Sequence, residues 1–140
     1  MTTTFQDLLE SFDFVGSAPM FDHEAFLNKE SGQIYWQADL LDDFDELPAD
    51  IDDEKYISIP HKNELGLGKN LALALAFVYQ HLPHEADEVE AFFRRKGAYS
   101  RFKAFLARKG ALEQWYEFEW QAQEKALRQW CEENKIQVHN

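Results

Sequence analysis

Residues 110–136, GALEQWYEFEWQAQEKALRQWCEENKI, constrain the fold more than any other stretch of this chain. They contain no proline and no glycine after Gly110, and they hold three of the four tryptophans. On a wheel stepped about 100° per residue, Leu112 and Trp130 coincide. Trp115, Ala122 and Ala126 fall to one side of them, and Tyr116, Trp120 and Leu127 to the other. The spacing predicts one long amphipathic helix ending near Asn134, a residue able to take the left-handed conformation that closes helices. The apolar stripe is wide, so more than one element is expected to cover it. Phe118 lies off the stripe and needs a contact of its own. Glu119 and Gln123 lie at its centre. An unpaired buried carboxylate costs several kcal/mol, so Glu119 is expected to be a buried acid in an ion pair with Arg101 or Arg94. The sharper alternative is a functional acid lining a pocket.

The rest of the chain supplies the elements that pack on this helix. Phe5, Leu8, Leu9 and Phe12 follow helical spacing, with Thr4 as N-cap and Asp7 in the first turn. Gly16 and Pro19 end that segment. Residues 24–37 alternate as a β-hairpin, with arms at 25–28 and 33–37. The connection 29–32 ends in Gly32, where a positive φ is needed. Lys55–Ile59 predicts a third strand, stopped by Pro60. Asn63 then caps a helix running to about His81, with Leu71, Ala74, Leu75 and Val78 on its stripe. A further helix follows Pro83 and reaches about Lys96. Another runs from Ala98 to Lys109, with Phe102, Phe105 and Leu106 inward, and Gly110 closes it. The predicted fold is α+β in a single domain over 1–140: a short N-terminal helix, a small antiparallel sheet made of the hairpin plus a third strand, and four C-terminal helices in a bundle.

Charge is distributed unevenly. Residues 1–60 hold 15 acids against Lys29 and Lys55 alone, whereas residues 61–140 hold 11 acids against 12 Lys and Arg. The acids concentrate in 39–54, a stretch with no basic residue. It lacks the glycine an EF-hand loop requires, so it reads as a solvated connector. The bases concentrate in 94–109, where Arg94, Arg95, Lys96, Arg101, Lys103, Arg108 and Lys109 occur with no acid. Such a section fits phosphate contacts. Two features count against nucleic acid: a formal net charge of −12 repels a polyanion, and Phe102 and Phe105 are needed inward and cannot stack on bases. The alternative places 94–109 beside the acidic connector, neutralising it.

Catalytic and cofactor signatures are missing from the sequence. His81 and His84 straddle Pro83, and no histidine cluster offers three ligands at recognised spacing. Gly66–Asn70 lacks the spacing and the Ser or Thr of a phosphate-binding loop. The single Cys131 excludes an intramolecular disulfide and a cysteine-based zinc knuckle. No metal or cofactor is expected. No apolar run approaches the ~18 residues of a membrane span, and the acidic N-terminus does not resemble a secretory signal, so a cytoplasmic location with no membrane association is expected.

Several segments together resemble a known family. They are Phe26–Ile34, the Gly97-Ala98-Tyr99-Ser100-Arg101-Phe102-Lys103 run, the Trp115–Phe118 step, and Trp130 before a Glu133-Asn134-Lys135-Ile136 ending. In these the chain resembles an uncharacterised bacterial protein family, number 0158 of the UPF series. Ser31 stands where that family commonly has Thr, and Lys135 where it usually has Gly. The resemblance spans most of the chain and implies no catalytic residues. The reading best supported by sequence is therefore a non-catalytic module that binds another protein through exposed aromatics such as Phe118 or Tyr99. The first alternative is nucleic-acid binding through Arg95, Lys96, Arg101, Lys103, Arg108 and Lys109. The second is an enzyme with an acid in a pocket around Glu119.

Overall fold

The computed structural model describes residues 3–38, 46–67 and 71–139. Of the acidic stretch 39–54, residues 39–45 lie outside them, as do residues 68–70 of the segment Gly66–Asn70. The described elements are α1 (Phe5–Gly16), β1 (His23–Asn28), β2 (Ile34–Ala38), β3 (Tyr56–Ser58), α2 (Leu71–His81), α3 (Ala86–Phe92), α4 (Ala98–Arg108) and α5 (Leu112–Glu133). The fold is α+β, with an N-terminal helix, a three-stranded antiparallel sheet and four helices ending in the long α5. By its internal contacts the chain divides into two compact units, residues 1–66 with 126–140, and residues 67–125.

In the first unit, Thr4 caps α1 as its sequence requires, its hydroxyl accepting from the Asp7 N–H at 3.0 Å. Phe5, Leu8, Leu9, Phe12 and Val15 are buried along that helix, which packs on β1 and β2. The strand order is β2-β1-β3, so the first strand of the hairpin is central. In the hairpin, Asn28 Oδ1 accepts from the N–H groups of Glu30 and Ser31, and Gly32 turns at φ 80°. A parallel bridge between Thr4 and His139 joins the two sequence segments of this unit, with Phe5 N–H donating to His139 O at 2.7 Å.

The second unit is built around Phe77 and Val78 of α2, Val89 of α3, Phe102, Phe105 and Leu106 of α4, and Trp115 of α5. Gly110, at φ 68°, closes α4. The Ala111 N–H donates back to Leu106 O and the Gly110 N–H to Ala107 O, satisfying two carbonyls that the helix end would leave unpaired.

Three helix ends are set by residues other than those the sequence suggests. Asn63 does not cap α2. A short 3-10 turn, Lys62–Leu65, intervenes with His61 as its cap, and Gly66 at φ 72° ends it. The helix after Pro83 stops at Phe92, so Arg94, Arg95 and Lys96 stand in the turn beyond it. At the end of α5 the left-handed residue is Lys135, at φ 58°, and not Asn134. Lys135 and Ile136 donate to the carbonyls of Glu132 and Cys131, the same closure that Gly110 gives α4. A left-handed conformation costs an L-residue about 1–2 kcal/mol that glycine avoids. Lys135→Gly is therefore expected to stabilise the chain by about 1 kcal/mol in urea unfolding. An unchanged or lowered midpoint would show that the Lys135 side chain offsets its own strain.

Candidate interaction face

α5 does not bury the single stripe that its sequence suggests. Within the second unit, Trp115 is buried and Phe118 packs inward, stacked on Trp115 and edge-on to Phe77 at 5.4 Å. Toward the other end, Leu127 and Cys131 are buried, on a different side of the wheel. Residues from two buried faces had merged into one wide band on a single wheel. Tyr116 and Trp120, expected within that band, stand 46% and 47% exposed. They are one helical turn apart on α5. Trp120 has no hydrogen bond or ring contact among the described residues. The Lys103 ammonium lies 5.2 Å from the Tyr116 ring and 5.7 Å from that of Tyr99. Tyr79 on α2 is more exposed still, at 62%.

Glu119 is half-buried, and its partner is neither Arg101 nor Arg94. It accepts from the Tyr99 hydroxyl at 2.6 Å, and the Trp115 indole N–H points at the same hydroxyl at 3.4 Å. A phenol can satisfy a carboxylate without burying a second charge, which removes the desolvation cost an arginine would bring. Burial, and then the hydrogen bond to Glu119, raise the Tyr99 pKa well above the usual phenol range. Tyr99 is therefore a neutral donor at physiological pH. This corrects the expectation that Tyr99 and Phe118 present free aromatic surface.

The six basic residues singled out in 94–109 do not share one face or one role. Arg101 donates to the Lys96 carbonyl at the start of α4. Lys109 pairs with Glu85 at 3.2 Å, and Lys103 lies over the two tyrosines. Arg95, Lys96 and Arg108 are exposed. Two turns of α4 separate Arg101 from Arg108, which share a side of that helix, while Lys103 is on another.

A groove of about 440 Å³ opens between the end of α2 and the first half of α5, lined by Gln80, His81, Glu113, Gln114, Glu117, Phe118 and Gln121. Glu113 makes no hydrogen bond or ion pair among the described residues, and Glu117 accepts only from Gln121, at 3.0 Å. No basic residue lines this groove other than His81. Its composition gave no signal in the sequence, because Gln80 and His81 reach it from a different helix.

The first unit has a smaller cleft, about 160 Å³, between the 3-10 turn, β1 and the end of β3. Its histidines are structural. His61 is buried, with Nδ1 accepting from the Asn63 N–H at 3.1 Å and Nε2 donating to Ala18 O at 2.9 Å. The ring of His23 stacks on Phe14 at 4.4 Å, and its Nδ1 lies 3.0 Å from Phe14 O. Nearby, Lys55 and then Tyr56 lower the pKa of Asp50, which holds the Lys55 ammonium at 2.8 Å. Cys131 is buried, which pushes its thiol up to about 11, so it is not a thiolate at neutral pH. Among the described residues no group of three or more His, Cys, Asp or Glu is placed to hold a metal ion, and no helix is long and apolar enough to cross a membrane.

No family model, curated protein or solved structure matches the chain.

Proposed function

We propose that this protein is a non-catalytic interaction module that docks another protein on α5 through Tyr116 and Trp120. One observation carries the reading. Two large aromatic side chains, spaced to cover one face of a helix, stand half in water where the sequence pattern demands burial. Tyr and Trp are the residues most enriched among interface hot spots, and truncating one typically costs about 2 kcal/mol or more of binding. Nucleic-acid binding has less support, since Arg101, Lys103 and Lys109 already have partners within the unit. An acid-based enzyme centred on Glu119 has less again, because its carboxylate is engaged by Tyr99 and does not line the groove.

The test compares tagged wild type with a Tyr116→Ala/Trp120→Ala variant in quantitative co-purification from a native host lysate. The variant is expected to keep the wild-type melting temperature, because both side chains are about half exposed. Specific partners are expected to fall more than about tenfold. An unchanged set of partners at an unchanged melting temperature would remove α5 as the docking face.

A further inference from the structure

The geometry points to an arginine-bearing segment of a partner protein as the occupant of this face, its guanidinium seated in the groove between α2 and α5. The inference rests on the docking reading above and adds the chemistry of what docks. Glu113 and Glu117 are one turn apart on α5, and both line the groove. On the wheel they stand between Phe118 and Gln121 on one side and Tyr116 and Trp120 on the other. The same two carboxylates therefore border both the groove and the exposed aromatic pair.

The composition of the face selects its occupant. Two carboxylates without a basic partner among the described residues favour a cation. A guanidinium fits better than an ammonium. Its planar fork can span two carboxylates, and the amide oxygens of Gln80, Gln114 and Gln121 can accept its remaining N–H groups. Its flat face stacks on aromatic rings, and Trp120 is the exposed ring three residues from Glu117 on the same helix. Apolar residues beside that arginine would cover Tyr116 and Trp120. The formal charge of −12 attracts a basic segment and opposes a second copy of this chain.

The experiment titrates full-length protein into a fluorescein-labelled, amidated (Arg-Leu)4 peptide at low salt, with (Lys-Leu)4 and (Glu-Leu)4 alongside, and reads anisotropy. The arginine peptide is expected to bind more tightly than the lysine peptide, and the glutamate peptide not at all. Glu113→Gln/Glu117→Gln is expected to weaken arginine binding by about tenfold or more, the scale of losing a hydrogen bond to a charged group. Asp52→Asn/Glu54→Gln removes the same charge from exposed positions in the other unit and is expected to leave the affinity within about twofold. Equal losses in both variants would mean that net charge alone attracts the peptide, and would overturn the inference. So would equal affinity for the lysine peptide, or no binding. Light scattering of the protein alone completes the test: a dimer dissociated by Glu113→Gln/Glu117→Gln would name a second copy as the occupant and overturn the arginine segment. Failure here with loss of partners in the Tyr116→Ala/Trp120→Ala variant would leave the docking face standing and remove only the groove's role.

Discussion

Trp115→Ala is expected to destabilise the unit formed by residues 67–125 by about 3–5 kcal/mol, the cost of deleting a large aromatic from a packed core. Trp115 is 1% exposed and is the ring on which the others converge. Phe102 meets it edge-on at 4.9 Å, Phe77 at 5.3 Å, and Phe118 stacks at 6.0 Å. These rings come from α2, α4 and α5 itself, so no single element can move to fill the space. A loss of this size is a large part of the roughly 5–15 kcal/mol that holds a domain together. Urea unfolding followed by far-UV circular dichroism measures it. Trp115→Phe supplies the control: it keeps the ring stack while removing the indole N–H, and is expected to cost markedly less. A Trp115→Ala cost below about 1 kcal/mol would mean that these rings do not form the core of this unit.

Leu27→Ala is expected to cost about 2–5 kcal/mol in the other unit. Leu27 is fully buried on the central strand, with Ile34 of β2 and Ile57 of β3 as its cross-strand neighbours. The three form one apolar row across the sheet, and cross-strand pairs of this kind are the unit of sheet stabilisation. Removing the middle side chain leaves both neighbours without their contact. Phe26→Ala, on the next position and only partly buried, is expected to cost less under the same urea measurement. Equal costs at the two positions would overturn the assigned face of β1.

Local chemistry explains which parts of this architecture were readable in advance. Thr4, Gly32, Gly97 (left-handed at φ 73°, immediately before α4) and Gly110 act through their own backbone or the adjacent turn. The ends of α1, the hairpin connection and the breaks around α4 therefore followed from residue type. The strand order did not. Nothing within β1, β2 or β3 says that the first strand pairs with both others, because that choice depends on which edges the helices leave free. Periodicity located α5 within a residue or two at its C-terminal end. It failed on which residues α5 buries, since one wheel superimposes the face bearing Trp115 and Phe118 on the face bearing Leu127 and Cys131. The candidate site lies in that error. Tyr116 and Trp120 look like core residues by pattern, and only burial separates them from Trp115. The Glu119–Tyr99 bond was beyond reach for a related reason, as charge pairing proposes an arginine wherever one is near, and phenols carry no charge to count.

The first unit draws on two distant parts of the chain, residues 3–66 and 126–139, tied by the bridge between Thr4 and His139. During synthesis the earlier part leaves the ribosome well before the later one. The intervening residues 67–125 are contiguous and can close first, in reverse of the usual N-terminal order. Until the last turns of α5 emerge, the nascent α1 helix and hairpin lack Leu127, Cys131 and Ile136. Over that interval the Phe5 ring lacks the Arg128 guanidinium that lies 3.9 Å from it in the folded chain, and the Phe5 N–H lacks the His139 carbonyl.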